Sequence, residues 1–335
     1  MSNGEKKNKK ESSGLGRSGF SFKFTLRNIK LKSSWFDFNF EEDGWESRVG
    51  NGSSNNNVSA SQENTFKKMG LQGFVLFVNL FKFKLHGYGK DVFLTSVGLL
   101  RKETGYSKYV VFDLLKRLVK LGIIEFVNIK KLEQIIEVDS KRKWVKDGKG
   151  RYKIKENEVL CIRSLDAPQV EKGEDGKEMP VGMDDYYIPV SLEVFEEYER
   201  IGLGVECWPV YCLLQKLSNV TGEQKSFMSV NKMAKILGYG DGTLYRIIVE
   251  MNRRYVLYSR IRGKNKDRIN GYFEHRLGSN MKKIEEIRSG LREEVDKFLR
   301  EVDKREKKRE IEKERYAAKD VEEFDWGGED VPGFE

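Results

Sequence analysis

The side chains that usually carry catalysis are sparse in this chain of 335 residues. Its two histidines, His86 and His275, lie far apart, so the adjacent imidazole ligands of a metal-dependent nuclease are missing. Of the three cysteines, Cys161, Cys207 and Cys212, the last two stand five apart with no third or fourth ligand nearby. That spacing fits a buried reduced pair better than a zinc site, and three thiols are too few for a disulfide framework. No Gly-x-x-x-x-Gly-Lys-Ser/Thr phosphate loop occurs, which argues against a built-in nucleotide-driven motor. Carboxylate pairs such as Asp184-Asp185 fall in a connector with no enclosing pocket in view. The expectation is a binding protein and not an enzyme, with no catalytic residue, metal or cofactor.

The chemistry on offer is cationic. Net charge is +9, and its distribution is uneven: residues 66–126 carry +7, residues 127–163 carry +5 and residues 201–280 carry +7. Residues 164–200 carry −8 and residues 320–335 carry −7. Positive blocks separated by acidic connectors are the footprint of a polyanion binder whose linkers stay off the polyanion. No apolar run approaches the roughly 20 residues of a membrane span, and the basic start lacks a hydrophobic signal core. A cytoplasmic protein with no membrane partner is expected.

The elements that must position these cations occur twice. Shifted by 133 residues, Ser96 to Tyr106 falls on Ser229 to Tyr239 with five of eleven positions identical. Apolar character stays in step through Val111/Leu244, Leu114/Ile247, Leu115/Ile248, Leu118/Met251 and Ile123/Val256. Ser96 and Ser229 are helix N-caps, and Gly105 and Gly238 supply the left-handed turn that ends a short helix. A second, longer helix follows, with Val111, Leu114, Leu115 and Leu118 as its buried stripe in the first copy, and then an extended segment. Ala234 lets the two helices of the second copy cross closely, whereas the first copy has Arg101 there.

The run from Gly105 through Leu118, followed by Leu121-Gly122-Ile123-Ile124, resembles the recognition helix and helix end of winged-helix DNA-binding domains. The tandem arrangement resembles replication initiators of plasmids and phages and the DnaD-like replication proteins. The resemblance implies an α+β, mainly helical fold with two tandem winged helix-turn-helix domains. The boundaries expected are a flexible N-terminal region at 1–65, domains at 66–163 and 186–278, an acidic linker at 164–185, a charged helix at 279–319 and an acidic tail at 320–335. It also implies double-stranded DNA as partner and a role in replication initiation, with a transcription regulator or a protein-binding assembly adaptor as alternatives.

In related winged helices the exposed face of the second helix enters the major groove. On the first copy that face carries Lys108, Tyr109, Asp113 and Lys116, with Phe112 read as core. On the second it carries Asp241, Thr243, Tyr245 and Arg246. Arginine is the side chain best suited to guanine, which puts Arg246 first, against the alternative of an intrahelical pair with Glu250. Wing strands are expected at 125–129 and 134–138, with a further hairpin around Asp147-Gly148-Lys149-Gly150. Phosphate contacts are expected from Lys141, Arg142, Lys143, Lys146, Lys149 and Arg151 in the first wing. Arg260, Arg262, Lys264, Lys266 and Arg268 do the same in the second.

Alternation at 20–26 and 35–40 predicts strands, within a region whose Ser/Asn run at 50–61 cannot build a core. One reading of those strands is addition to a partner's sheet edge. After Gly278 the apolar positions Ile284, Ile287, Leu291, Val295, Phe298 and Val302 predict one long helix, packed on the second unit or serving a homodimer. The N-terminal region and the aromatic-bearing acidic tail are the expected docking points for replication machinery.

Overall fold

The computed structural model describes residues 28–36, 64–85, 91–165, 170–172, 178–180, 187–221, 225–262 and 272–322. The fold is α+β and mainly helical. In chain order β1 (Asn28–Lys32) precedes α1 (Thr65–Leu80), β2 (Val92–Thr95), α2 (Val97–Thr104), α3 (Lys108–Lys120), β3 (Ile124–Phe126) and β4 (Leu160–Ser164). The hairpin of β5 (Val170–Lys172) and β6 (Glu178–Pro180) leads to β7 (Tyr187–Ser191) and α4 (Leu192–Arg200). The second half contains α5 (Cys207–Thr221), β8 (Lys225–Ser229), α6 (Val230–Leu237), α7 (Asp241–Arg253), β9 (Leu257–Arg262) and β10 (Tyr272–Leu277). Helices α8 (Met281–Gly290) and α9 (Arg292–Glu322) follow.

One element order, helix–strand–helix–helix–strand–strand, therefore occurs twice. The 133-residue shift carries the bounds of α2 onto those of α6 and the bounds of α3 onto those of α7. Both three-stranded sheets are antiparallel with the last strand in the middle, in the orders β2-β4-β3 and β8-β10-β9. Ser96 Oγ accepts from the Leu99 N–H at 3.2 Å and Ser229 Oγ from the Lys232 N–H at 3.4 Å, the expected caps. Gly105 (φ 70°) and Gly238 (φ 66°) end the short helices in the left-handed region. At the end of the longer helices Gly122 takes φ 69°, but the matching residue of the second unit is Tyr255 at φ 55°.

The two units are not separate cores on a loose connector. Their buried side chains form one continuous cluster, from Phe66 and Leu115 to Trp208 and Met251. Asn64 caps α1 through Lys67 N–H and also donates from Nδ2 to the Ile236 carbonyl at 2.9 Å, tying α1 to α6. The region expected to be flexible up to residue 65 contributes to that core. β1 pairs antiparallel with β7, Ile29 opposite Val190, so the sheet edge it joins belongs to its own chain. Ser33–Phe36 is a 3-10 turn and not the expected strand, and it delivers two buried aromatics. Trp35 meets Phe77 edge-on at 5.0 Å and Phe36 stacks on Phe66 at 5.5 Å. The alternating segments 20–26 and 37–40, and the Ser/Asn run at 50–61, lie outside the described residues.

Two further expectations are corrected. Residues 125–129 and 134–138 do not pair: β3 pairs with β4, and Leu132–Ile135 is a 3-10 turn. The long helix after Gly278 is two helices, because Gly290 and Leu291 (φ −116°, ψ 10°) interrupt it. Glu197, almost wholly buried, anchors the first of these by accepting from Arg288 at 2.8 Å as well as from Arg200 at 2.6 Å. Val295, Phe298 and Val302 are buried where α9 runs along α7 and β9. Beyond them residues 306–316 are exposed, as their almost wholly charged sequence requires.

Candidate nucleic-acid interface

Each unit presents the outer face of its longer helix, and each covers part of that face by a different device. In the first unit the cover is the β3–β4 connection, residues 127–159. Its Leu132, Ile135, Ile136 and Ile154 are all buried and join the main core cluster. Three short segments close a ring of backbone hydrogen bonds. Glu137 N–H donates to the Lys153 carbonyl at 2.8 Å, Lys153 N–H to Val145 at 2.8 Å, and Val145 N–H to Glu137 at 2.9 Å.

Two tight turns project from this ring and share one sequence pattern. Asp139-Ser-Lys-Arg-Lys-Trp144 and Asp147-Gly-Lys-Gly-Arg-Tyr152 each read Asp-x-Lys-x-cation-aromatic. In both, the Asp Oδ1 accepts from the N–H groups two and four residues on, at 2.8–2.9 Å. The fourth residue is left-handed in both: Gly150 at φ 75° and, without a glycine, Arg142 at φ 60°. The hairpin expected around residues 147–150 is thus the second of two equivalent turns.

This connection lies along α2 and α3, not away from them. The Tyr109 hydroxyl donates to Asp147 Oδ2 at 2.7 Å, and the Arg151 guanidinium sits over the Tyr109 ring at 4.1 Å. The Tyr109 bond and the N–H groups of Arg151 and Lys149 hold the Asp147 carboxyl well below the usual carboxylate range. The same bond pushes the Tyr109 phenol up. Glu156 accepts from Lys108 at 3.1 Å and Arg101 at 2.7 Å, and these cations lower its pKa. Glu133 accepts from Lys116 at 2.9 Å with the same effect. Three of the four predicted reading residues of α3 are therefore held by acids of the connection, and Asp113 alone of the four lacks such a partner among the described contacts. Arg101, at the position where the second copy has Ala234, is one of the groups that hold the cover down.

In the second unit the cover is α9. Tyr245, predicted to face DNA, is 8% exposed and lies near Arg305, Glu306 and Arg309 of α9, with burial raising its pKa. Val249 is buried, Arg253 meets Asp303 at 3.7 Å, and Tyr255 donates to Asp296 at 2.7 Å. Tyr245 is corrected to a packing residue, and Phe112, its counterpart in the first unit, is buried as expected. The N-terminal half of α7 stays open, with Asp241, Thr243 and Arg246 exposed. Arg246 does not pair with Glu250, which is taken by Arg254 at 2.9 Å and Arg253 at 3.8 Å. Its guanidinium instead reaches Thr243 Oγ1 at 3.5 Å.

Of the predicted phosphate contacts, Lys141, Arg142, Lys143, Lys149 and Arg151 are exposed on the two turns and Lys146 is exposed between them. Arg260 is exposed on β9, where Arg262 also stands. Lys264, Lys266 and Arg268 lie outside the described residues, as do His86 and Asp184-Asp185. Cys207 and Cys212 are buried free thiols, and burial raises both, Cys207 to about 12, so they stay protonated. His275 is likewise buried, its Nδ1 2.9 Å from Ser259 Oγ, which accepts from Asn252 Nδ2 at 2.9 Å. Compared with protein-family profiles, curated proteins and solved structures, the chain matches none.

Proposed function

We propose that the chain binds double-stranded DNA through two winged-helix units and serves as a replication initiator of the plasmid or phage type. The observation that carries this reading is the exposed N-terminal half of α7, where Asp241, Thr243 and Arg246 stand together at the end that such helices insert into a major groove. The doubled element order, with the last strand central in each sheet, supports the winged-helix assignment. Arg246 is the base-reading side chain, suited to the two acceptors of guanine.

The two units play unequal parts. The second reads base edges, and the first, whose longer helix is covered by its own connection, holds phosphate through the exposed cations of residues 141–151. Titration of duplex DNA at two salt concentrations tests this. Binding with a steep salt slope, which shallows when Lys141, Lys143 and Lys149 are replaced by Gln, is the expected result. Salt-insensitive binding, or none, would sink it.

The covered face of α3 favours one other reading, an assembly adaptor whose first unit meets protein. Tyr109, Lys108 and Lys116 are already engaged within the chain, and a helix so engaged does not need a groove.

A further inference from the structure

The tip of the β3–β4 connection carries aromatic surface that duplex binding does not use. Trp144 is 49% exposed and Tyr152 39% exposed, in a segment whose own apolar residues Ile136 and Ile154 are buried. A side chain as large as Trp is left half in water only at the expense of unburied apolar area, on the order of 25 cal/mol per Å². The two rings meet edge to face at 5.0 Å, so each supports the other without covering its outer face. Val138, opposite Trp144 across the bridge, is 52% exposed and extends the same surface.

The surroundings of this pair define what it would hold. Between residues 139 and 155 stand eight Lys or Arg against two Asp. Both Asp residues are occupied: Asp139 closes the first turn, and Asp147 closes the second and takes the Tyr109 hydroxyl. Their charge is thus spent inside the turns, where Asp147 also pairs with Arg151 at 3.2 Å, and Lys141, Lys143, Lys146 and Lys149 remain exposed. Lys146 sits 5.4 Å from the Tyr152 ring centre, which shows that a cation reaches the ring faces. The eight-residue repeat sets one cation–aromatic pair beside the next, Lys143-Trp144 beside Arg151-Tyr152.

We infer that Trp144, with Tyr152 behind it, is a stacking platform for unpaired bases, and that Lys141, Lys143 and Lys149 hold the phosphates of the same strand. A duplex hides its base faces inside the stack, so this surface is matched to single-stranded nucleic acid. Stacking on a π face is tolerant of base identity, and no hydrogen-bond reader is needed beside the rings. The inference goes beyond duplex reading by α7 and shares with the proposed function only the phosphate-holding Lys141, Lys143 and Lys149.

The test is binding of the full chain to labelled oligothymidylate, which has no pairing of its own, with duplex DNA and anionic phospholipid vesicles as parallel arms. Trp144→Ala should weaken oligothymidylate binding about ten-fold or more, the range expected for loss of one stacked base. Trp144→Phe keeps a ring face and should remain within about three-fold. Duplex binding should change little in either variant, and Arg246→Ala should leave the oligothymidylate arm unchanged, which separates failure here from failure of the duplex reading. Thermal unfolding of the variants checks that the half-exposed site still folds. No oligothymidylate binding by the unsubstituted chain, an unchanged affinity in Trp144→Ala, or an equal loss on duplex would overturn the assignment. Loss confined to the vesicle arm would overturn it in favour of a membrane surface.

Discussion

The Tyr109 hydroxyl donates to Asp147 Oδ2 across 2.7 Å, joining the first turn of α3 to a turn of the β3–β4 connection 38 residues away. This bond, with Lys108–Glu156 and Lys116–Glu133, holds the connection over the outer face of α3. Replacing Tyr109 by Phe, or Asp147 by Asn, should loosen the connection without unfolding the chain. Hydrogen exchange checks this: the ring amides of Glu137, Val145 and Lys153 should exchange faster, while those in the middle of α5 stay protected. Equal protection in the variants would mean that the ring holds itself and the tyrosine contributes nothing.

The 3-10 turn after β1 predicts a large and simple effect. Trp35 is 2% exposed and packs on Phe77, so Trp35→Ala should cost about 3–5 kcal/mol in urea unfolding. A chain whose first 65 residues were only a tail would show no change.

His275 predicts a pH dependence with a definite sign. Burial lowers its pKa from 6.5 to about 3. The unfolded chain takes up this proton below about pH 6.5, while the folded chain takes it up only near pH 3. Stability should therefore fall as the pH drops through that window, by about 1.4 kcal/mol per pH unit at full slope. His275→Gln should be less stable at pH 7.5, because the bond with Ser259 is disturbed, yet its urea midpoint should change less between pH 6 and pH 4.5. A parallel decline in both proteins would show that other groups set the slope.

The two equivalent turns predict opposite responses to opposite substitutions at the same left-handed position. Arg142 holds φ 60° without being glycine, so Arg142→Gly should be neutral or stabilising by up to about 1 kcal/mol. Gly150→Val forces a β-branched residue to φ 75° and should destabilise the connection. Thermal unfolding of the two variants decides it, and the reverse order would contradict the turn geometry.

What could be read in the sequence was what depends on local spacing. The caps Ser96 and Ser229, the left-handed Gly105 and Gly238, and the stripe Val111/Leu115/Leu118 are fixed by neighbours within a turn or two, and the structure has them. The register of the repeat carried through as well, because both units bury the paired stripe Val111/Leu244, Leu114/Ile247, Leu115/Ile248 and Leu118/Met251. What could not be read was what covers each helix. Tyr245 and Val249 look like surface on α7 alone and are buried in the structure, where α9 runs along α7. The burial of Trp35 was not legible because its partner, Phe77, lies 42 positions on. The doubled Asp-x-Lys-x-cation-aromatic pattern was present in the sequence and was the one signal that could have identified both turns.

Base reading by α7 is tested by selection of bound sequences from a random duplex pool, run with the intact chain and with Arg246→Ala. An enriched site is expected in the intact chain and a relaxed preference at a guanine position in the variant, with affinity for the pool largely kept by the cations of the two turns. No enrichment by the intact chain, or an identical site recovered with Arg246→Ala, would contradict base reading by α7.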